Sequence, residues 1–164
     1  MSNGVGHVLY VFDTSALMDW HDRYYPSDIF PTLVNLVDGL IRAGRLESVE
    51  LVHEEVKKMG STSLQNWAKA RPSIFDQTKN HLSQALAVEG QFPALKDPNA
   101  QFDEADAYVI ALAQIRNAIV VTAETPAATK RKPKRSMYIP DVCSALGMTS
   151  ISNLGMMRRE GWAL

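Results

Sequence analysis

With 164 residues, 46% of them hydrophobic and 21% charged, the chain has the composition of one globular domain with a single core, and residues 1–164 are read as that domain. It is too apolar for a disordered chain, and no apolar run is long enough to cross a bilayer, so no membrane association is expected. The formal net charge of −1 supplies no global field for nucleic acid or an anionic membrane, so any such attraction has to be local. Met1 to Gly6 lacks the basic region and apolar stretch of a secretory leader, and the lone Cys143 has no intrachain partner. A cytoplasmic location is therefore expected.

Val8 to Phe12 shows no polar alternation, the pattern of a central parallel strand covered on both faces. Asp13, Thr14 and Ser15 follow it, and Asp13 is suited to cap a short helix over Ala16 to Trp20. Ser27 is the expected cap of a second helix, in which Phe30, Leu33, Val34, Val37, Leu40 and Ile41 recur at helical spacing until Gly44. Ser48 to Val52 reads as a second strand running into the helical turns of "HEEVKKM". Helices are expected over Leu64 to Ala70 and Ser73 to Glu89, separated by Pro72.

"DEADAYVIALAQIRN" predicts the clearest helix, capped by Asp103 and so apolar after Asp106 that most of its sides must be buried. "AIVVT" predicts a third core strand, and Thr125 with Pro126 the cap and first turn of a helix. "MYIP" reads as a weaker strand, Pro140 and Asp141 as the start of a short helix ending at Gly147, and the last residues as a final strand and helix. Strands alternating with helices give an α/β domain, a three-layer α/β/α arrangement around a mainly parallel sheet.

Ligands of such sheets bind at the carboxyl ends of the strands, which is where Asp13 and Glu124 lie. Glu55, followed by Val56 and with Val52 three residues before it and Met59 four after it, leans toward the apolar side of its helix, and Asp106 belongs to the buried stripe of Val109, Ile110 and Ala113. Each acid also has a local explanation: a cap for Asp13, an exposed helix residue for Glu55, a capping box with Asp103 for Asp106, a first-turn acid for Glu124. Together they require four separate reasons for acids at one edge of one sheet. Converging carboxylates repel, and no buried arginine or lysine is evident in the sequence to compensate them. A set of oxygen donors suits a hard divalent cation, Mg²⁺ or Mn²⁺. "KRKPKR", Lys130 to Arg135, carries five positive charges close behind Glu124.

"VFDTSAL", the acid before Val in "HEEV", "DAYVIALA" and "VVTAE" resemble the ordered motifs of the PIN-domain ribonucleases, over nearly the whole chain. "YIPDVCSALGM" looks like a PIN-like branch catalogued only as a domain of unknown function, whose members resemble VapC-like toxins of bacterial toxin–antitoxin pairs. The resemblance implies a PIN-like fold and endoribonuclease activity in which water attacks a phosphodiester. It makes Asp13, Glu55, Asp106 and Glu124 the catalytic acids and ligands of Mg²⁺ or Mn²⁺, with Glu124 standing where an Asp is commoner. It places Thr14 and Ser15 at the hydroxyl positions beside the first acid, where RNA or water is oriented. With it, Lys130, Arg131, Lys132, Lys134 and Arg135 become candidates to hold the RNA backbone. It further implies homodimers and a cognate antitoxin. The alternative left open by Glu124 is a PIN-fold module that binds RNA or protein without turnover.

Other chemistries are excluded by particular residues. Lys57 replaces the second His of a zinc-protease H-E-x-x-H, and Ser15 replaces the second Asp of a haloacid-dehalogenase phosphatase. "GVGH" precedes a strand, whereas a dinucleotide loop follows one. Trp20, Trp67 and Trp162 are read as packing residues.

Overall fold

In the computed structural model, which describes residues 8–101 and 104–164, the first apolar run forms strand β1 (Tyr10–Phe12) with all three side chains buried. It leads into helix α1 (Thr14–Met18), a π-helical coil over Asp19–Tyr24, and helix α2 (Pro31–Arg42). Strand β2 (Leu46–Val49) precedes α3 (Glu50–Met59) and α4 (Thr62–Lys69), and strand β3 (Phe75–Asp76) precedes α5 (Thr78–Gln91) and α6 (Asp106–Arg116). Strand β4 (Ile119–Val121), α7 (Ile139–Ala145), β5 (Ser150–Ile151) and α8 (Asn153–Glu160) complete the chain. The five strands form one parallel sheet in the order β3-β2-β1-β4-β5, so β1 is central as expected. Flanked by eight α-helices among the described residues, this is the three-layer α/β/α architecture.

The strand order creates a particular crevice. From β1 the chain moves outward to β2 and β3, then returns to β4 on the opposite side of β1 and continues to β5. Right-handed crossovers therefore carry the connections of β1 and β4 to opposite faces, opening a cleft beyond the carboxyl ends of these two strands. Their register, Phe12 against Val121, brings Asp13 and Thr122 side by side at the floor of that cleft.

Helix α6 packs on β1, β2 and β4, and is itself covered by α5 and α7. Ala107 to Ala113 are consequently all buried, which explains an apolar sequence with no polar face. Asn117 ends the helix at φ 52°, a left-handed conformation that asparagine tolerates better than bulkier residues. No helix among the described residues is long and apolar enough to cross a membrane.

Several element boundaries differ from the sequence reading. Ser27 is no cap: α2 starts at Pro31 behind Phe30, without a side-chain hydrogen bond. Strand β2 spans Leu46–Val49 rather than Ser48–Val52: the chain turns at Gly44, φ 68°, enters the sheet at Leu46 in register with Tyr10, and is already helical from Glu50. Ser48 lies inside that strand, fully buried, donating to the Phe12 carbonyl at 2.6 Å. The helix expected from Ser73 starts only at Thr78: Pro72–Ile74 form a 3₁₀ turn and Phe75–Asp76 the strand β3, which at two residues is too short to leave a periodic signal and where Phe75 stacks on His53 at 4.5 Å between ring centroids. "MYIP" is not a strand; Tyr138 is the N-cap of α7 and Pro140 sits in the first turn, where its missing N–H leaves no bond unmade. Thr125 and Pro126 precede only a single 3₁₀ turn, Ala127–Thr129. The capping role expected of Asp103 lies outside the described residues.

Candidate active site

Asp13 ends β1 and caps α1 at once, so its local and functional explanations are not alternatives. Oδ1 accepts from the Ala16 N–H at 2.7 Å, as an N-cap does. Oδ2 accepts from Thr122 Oγ1 at 2.5 Å, and Ser15 Oγ lies 2.8 Å from both oxygens. Ser15 Oγ in turn accepts from the Ala123 N–H at 3.0 Å, tying the end of β1 to the end of β4. Only 3% of Asp13 is exposed, and burial pushes its carboxyl up to about 8; the Thr122 and Ala16 hydrogen bonds work against this, while the negative charges of Asp106 and Glu124 add to it.

Glu55 projects from α3 across the cleft. Its Oε2 accepts from Thr14 Oγ1 at 2.7 Å and its Oε1 from the Ala105 N–H at 2.9 Å. Glu55 thereby satisfies an otherwise orphaned donor at the start of α6 and fixes that terminus relative to α1. Burial raises its pKa, with Asp106 contributing further. Asp106 is the first residue of α6, a position where the helix dipole favours an acid. It is therefore not the third residue of a capping box.

Glu124, two residues beyond Thr122, accepts from the Ile139 N–H at 3.0 Å through Oε2. Burial and the nearby Asp106 push its carboxyl up to about 7. All four sequence-predicted acids line one cavity of about 540 Å³, together with Thr14, Ser15 and the cations Arg23, Lys58 and Arg135. Thr14 and Ser15 face the acids and orient them.

Arg135 is where the sequence reading has to be corrected. The expectation that no buried base compensates the acids does not hold, and the residue assigned to the RNA-facing run is inside the pocket, with its side chain 12% exposed. Nη1 donates to Asp106 Oδ2 at 2.9 Å and to the Leu95 carbonyl at 2.5 Å, and reaches Glu104 Oε2 at 3.4 Å. Nη2 donates to Glu124 Oε1 at 3.0 Å. Its guanidinium carbon lies 4.6 Å from the centre of the Tyr138 ring. The rest of the run divides as well. Lys130 also lies against Tyr138, 4.3 Å from its ring centre, whereas Arg131, Lys132 and Lys134 are exposed.

Sequence reasoning missed Thr122, Glu104 and the inward turn of Arg135. Thr122 had a signal, a hydroxyl directly after the apolar run "IVV"; Arg135 and Glu104 had none, since their partners are 29 to 40 residues away or in irregular loops. The buried Cys143 thiol is pushed up to about 12 by desolvation and the acids above it, which removes it as a nucleophile.

By type and place the acids fit a hard divalent ion: oxygen donors only, each of Asp13, Glu55 and Glu124 oriented by hydrogen bonds, as ligating carboxylates are. Burial is the main cause of their raised pKa values, and the negative charge of Asp106 adds to it. As placed, no group of three or more His, Cys, Asp or Glu among the described residues is gathered closely enough to encircle an ion. The guanidinium of Arg135 holds Asp106 and Glu124 instead.

These shifts set the pH dependence of the metal-free protein. A carboxyl whose folded pKa lies above its unfolded one contributes stability at low pH that is lost as pH rises toward the folded value. For Asp13 that window runs from 3.8 to about 8 and for Glu124 from 4.5 to about 7. The melting temperature in a chelating buffer is therefore expected to fall steadily between about pH 5 and pH 8. A melting temperature that climbs across this range would show that the acids are ionised and well solvated.

A family model described as "Domain of unknown function (DUF4411)" matches residues 10–164, from the first residue of β1 to the end of the chain. No curated protein matches the sequence. Because that match takes in all five strands and every residue of the acidic cleft, the chain belongs to the DUF4411 family, a domain of unknown function.

Proposed function

We propose that the protein is a metal-dependent endoribonuclease that hydrolyses RNA phosphodiester bonds, acting as the toxin of a bacterial type II toxin–antitoxin pair. The observation that carries this reading is the convergence of Asp13, Glu55, Asp106 and Glu124 in one cavity at the carboxyl edge of the sheet. The resemblance of their motifs to those of PIN-domain ribonucleases supplies the reaction. Asp13, Glu55, Asp106 and Glu124 would hold Mg²⁺ or Mn²⁺. An ion held by these acids would supply an activated water and offset charge developing on the phosphoryl oxygens. Thr14, Ser15 and Thr122 keep the carboxylates pointed into the cleft. The exposed Arg131, Lys132 and Lys134, which follow Glu124 closely in the chain, bind the RNA backbone without selecting sequence. A cytoplasmic location, homodimer formation and inhibition by a cognate antitoxin belong to the same proposal.

One observation favours a second reading, a PIN-fold module that binds RNA or protein without cutting: Arg135 already neutralises part of the acidic cluster. The two readings part in a single assay. Purified protein with end-labelled single-stranded RNA is expected to yield shorter products in millimolar Mg²⁺ or Mn²⁺ and none in excess chelator. RNA retained intact in both metals, but still bound, would select the second reading.

A further inference from the structure

We infer that Arg135 is the exchangeable counter-ion of the acidic cleft: its guanidinium occupies the Asp106–Glu124 half of the site and has to leave before a divalent ion is held there. This inference rests on the metal-site reading above and concerns a residue that reading does not use.

Geometry is the first ground. One guanidinium bridges Asp106 Oδ2 and Glu124 Oε1 with N···O distances of 2.9 and 3.0 Å. Magnesium takes carboxylate oxygens at about 2.0–2.1 Å, closer than either acid lies to the guanidinium, so these two oxygens cannot ligate one ion while they hold Arg135 between them. Among the described residues no group of three acids is gathered around one point, and Arg135 holds two of the four acids of the cleft. The other half of the cleft is untouched by Arg135: Asp13 and Glu55 take their hydrogen bonds from Ala16, Ser15, Thr122, Thr14 and Ala105. Arg135 thus blocks closure of the cluster while leaving its other ligands set.

Attachment is the second ground. Arg135 belongs to the stretch between the Ala127–Thr129 turn and α7, in neither a strand nor a helix. Its contacts are the two acids, Glu104, one carbonyl and the face of Tyr138. Tyr138 is anchored separately, capping α7 and accepting the Lys134 N–H at 3.0 Å. Withdrawal of the side chain therefore breaks no sheet or helix bond. It exposes a guanidinium beside Arg131, Lys132 and Lys134, where a phosphate would meet it.

The signature is two effects of opposite sign. A protein whose ligand must expel an internal occupant binds that ligand more weakly by the fraction of time the site is free. Arg135→Gln removes the occupant, so its Mn²⁺ dissociation constant, read by isothermal titration, is expected to be about tenfold tighter than that of the wild type or better. The same change strands Asp106 and Glu124 without their counter-ion, so the melting temperature in chelator is expected to drop. Arg135→Lys, a shorter cation without the fork, is expected to fall between the two in both measurements. A merely structural arginine would lower stability and leave Mn²⁺ affinity equal or weaker; that result overturns the inference while the metal site stands. If neither the wild type nor Arg135→Gln binds Mn²⁺, the metal reading and the inference fail together. Should Arg135→Gln not fold, the wild type itself gives the answer by side-chain ¹⁵N spectroscopy. The Arg135 Nη resonances, identified by their loss in Arg135→Lys, are expected to be slowly rotating in chelator and to change to freely rotating as Mg²⁺ saturates the site. Resonances unaltered at saturation would overturn the exchange.

Discussion

Asp13→Asn is expected to cut RNA cleavage by at least about a hundredfold while raising the melting temperature of the metal-free protein at pH 8. Loss of a group that only orients a metal ligand costs about 10–100-fold, and removal of a ligand itself should exceed that range. The stability gain has a separate origin. Asp13 is 3% exposed, and its carboxylate form is disfavoured by burial until about pH 8. Asparagine keeps an oxygen for the Ala16 N–H and Ser15, and its amide donates to Thr122 Oγ1, whose hydroxyl turns to accept. It carries no charge to desolvate. The difference should therefore be small near pH 4 and grow to the order of a few kcal/mol at pH 8, in favour of the variant. Chemical denaturation at the two pH values together with a cleavage time course checks both halves. Cleavage at the wild-type rate would remove Asp13 from the chemistry, and a variant less stable at pH 8 than the wild type would mean that the carboxylate is welcome where it lies.

Neutralising Arg131, Lys132 and Lys134 together should weaken RNA binding and flatten its salt dependence, while the metal site is unaffected. These three are exposed, whereas Arg135 is committed to the acids and Lys130 to the Tyr138 ring. On single strands each neutralised phosphate contributes about 0.7 to the slope of log K against log salt, so three lost contacts reduce it by about 2. Fluorescence anisotropy with a catalytically silent Asp13→Asn background, from 50 to 200 mM salt, reads this slope. A slope identical to that of the parent would place the RNA on another surface.

The parts of the fold that could be read from the sequence are those in which neighbours in the chain decide the outcome. Val8 to Phe12 has only aliphatic and aromatic side chains, which marked it as the covered central strand and placed Asp13, directly after it, at the carboxyl edge. Helix α6 announced itself through Ala107 to Ala113. Glu55 was half legible through the period of α3: Val52 is fully buried as the stripe requires, but Met59, the other residue that defined it, is 56% exposed. Strand β3 left no trace because two residues carry no period, and Tyr138 reads as apolar although it caps α7.

Arg135 was illegible for a deeper reason. In a run of five basic residues nothing local marks the one that turns inward. Its selection depends on Asp106 and Glu124 arriving from α6 and β4, and on Tyr138 offering a face to lie against. Charge pattern gave the region and its sign; only the tertiary structure separates an internal counter-ion from three exposed cations. The four acids, by contrast, each sit next to an apolar run that fixes where they go, which is why the cluster was visible before its compensation was.

The claim on which this account turns is that the acids at the ends of β1 and β4, with Glu55 and Asp106, form one divalent-cation site. Electron paramagnetic resonance of free Mn²⁺ during titration of the protein tests it without substrate or turnover. The account predicts saturable uptake by the wild type that is abolished in Asp13→Asn and in Asp106→Asn, both of which remain folded by circular dichroism. Free Mn²⁺ rising in proportion to what is added, up to millimolar concentrations and identically in all three proteins, would contradict it.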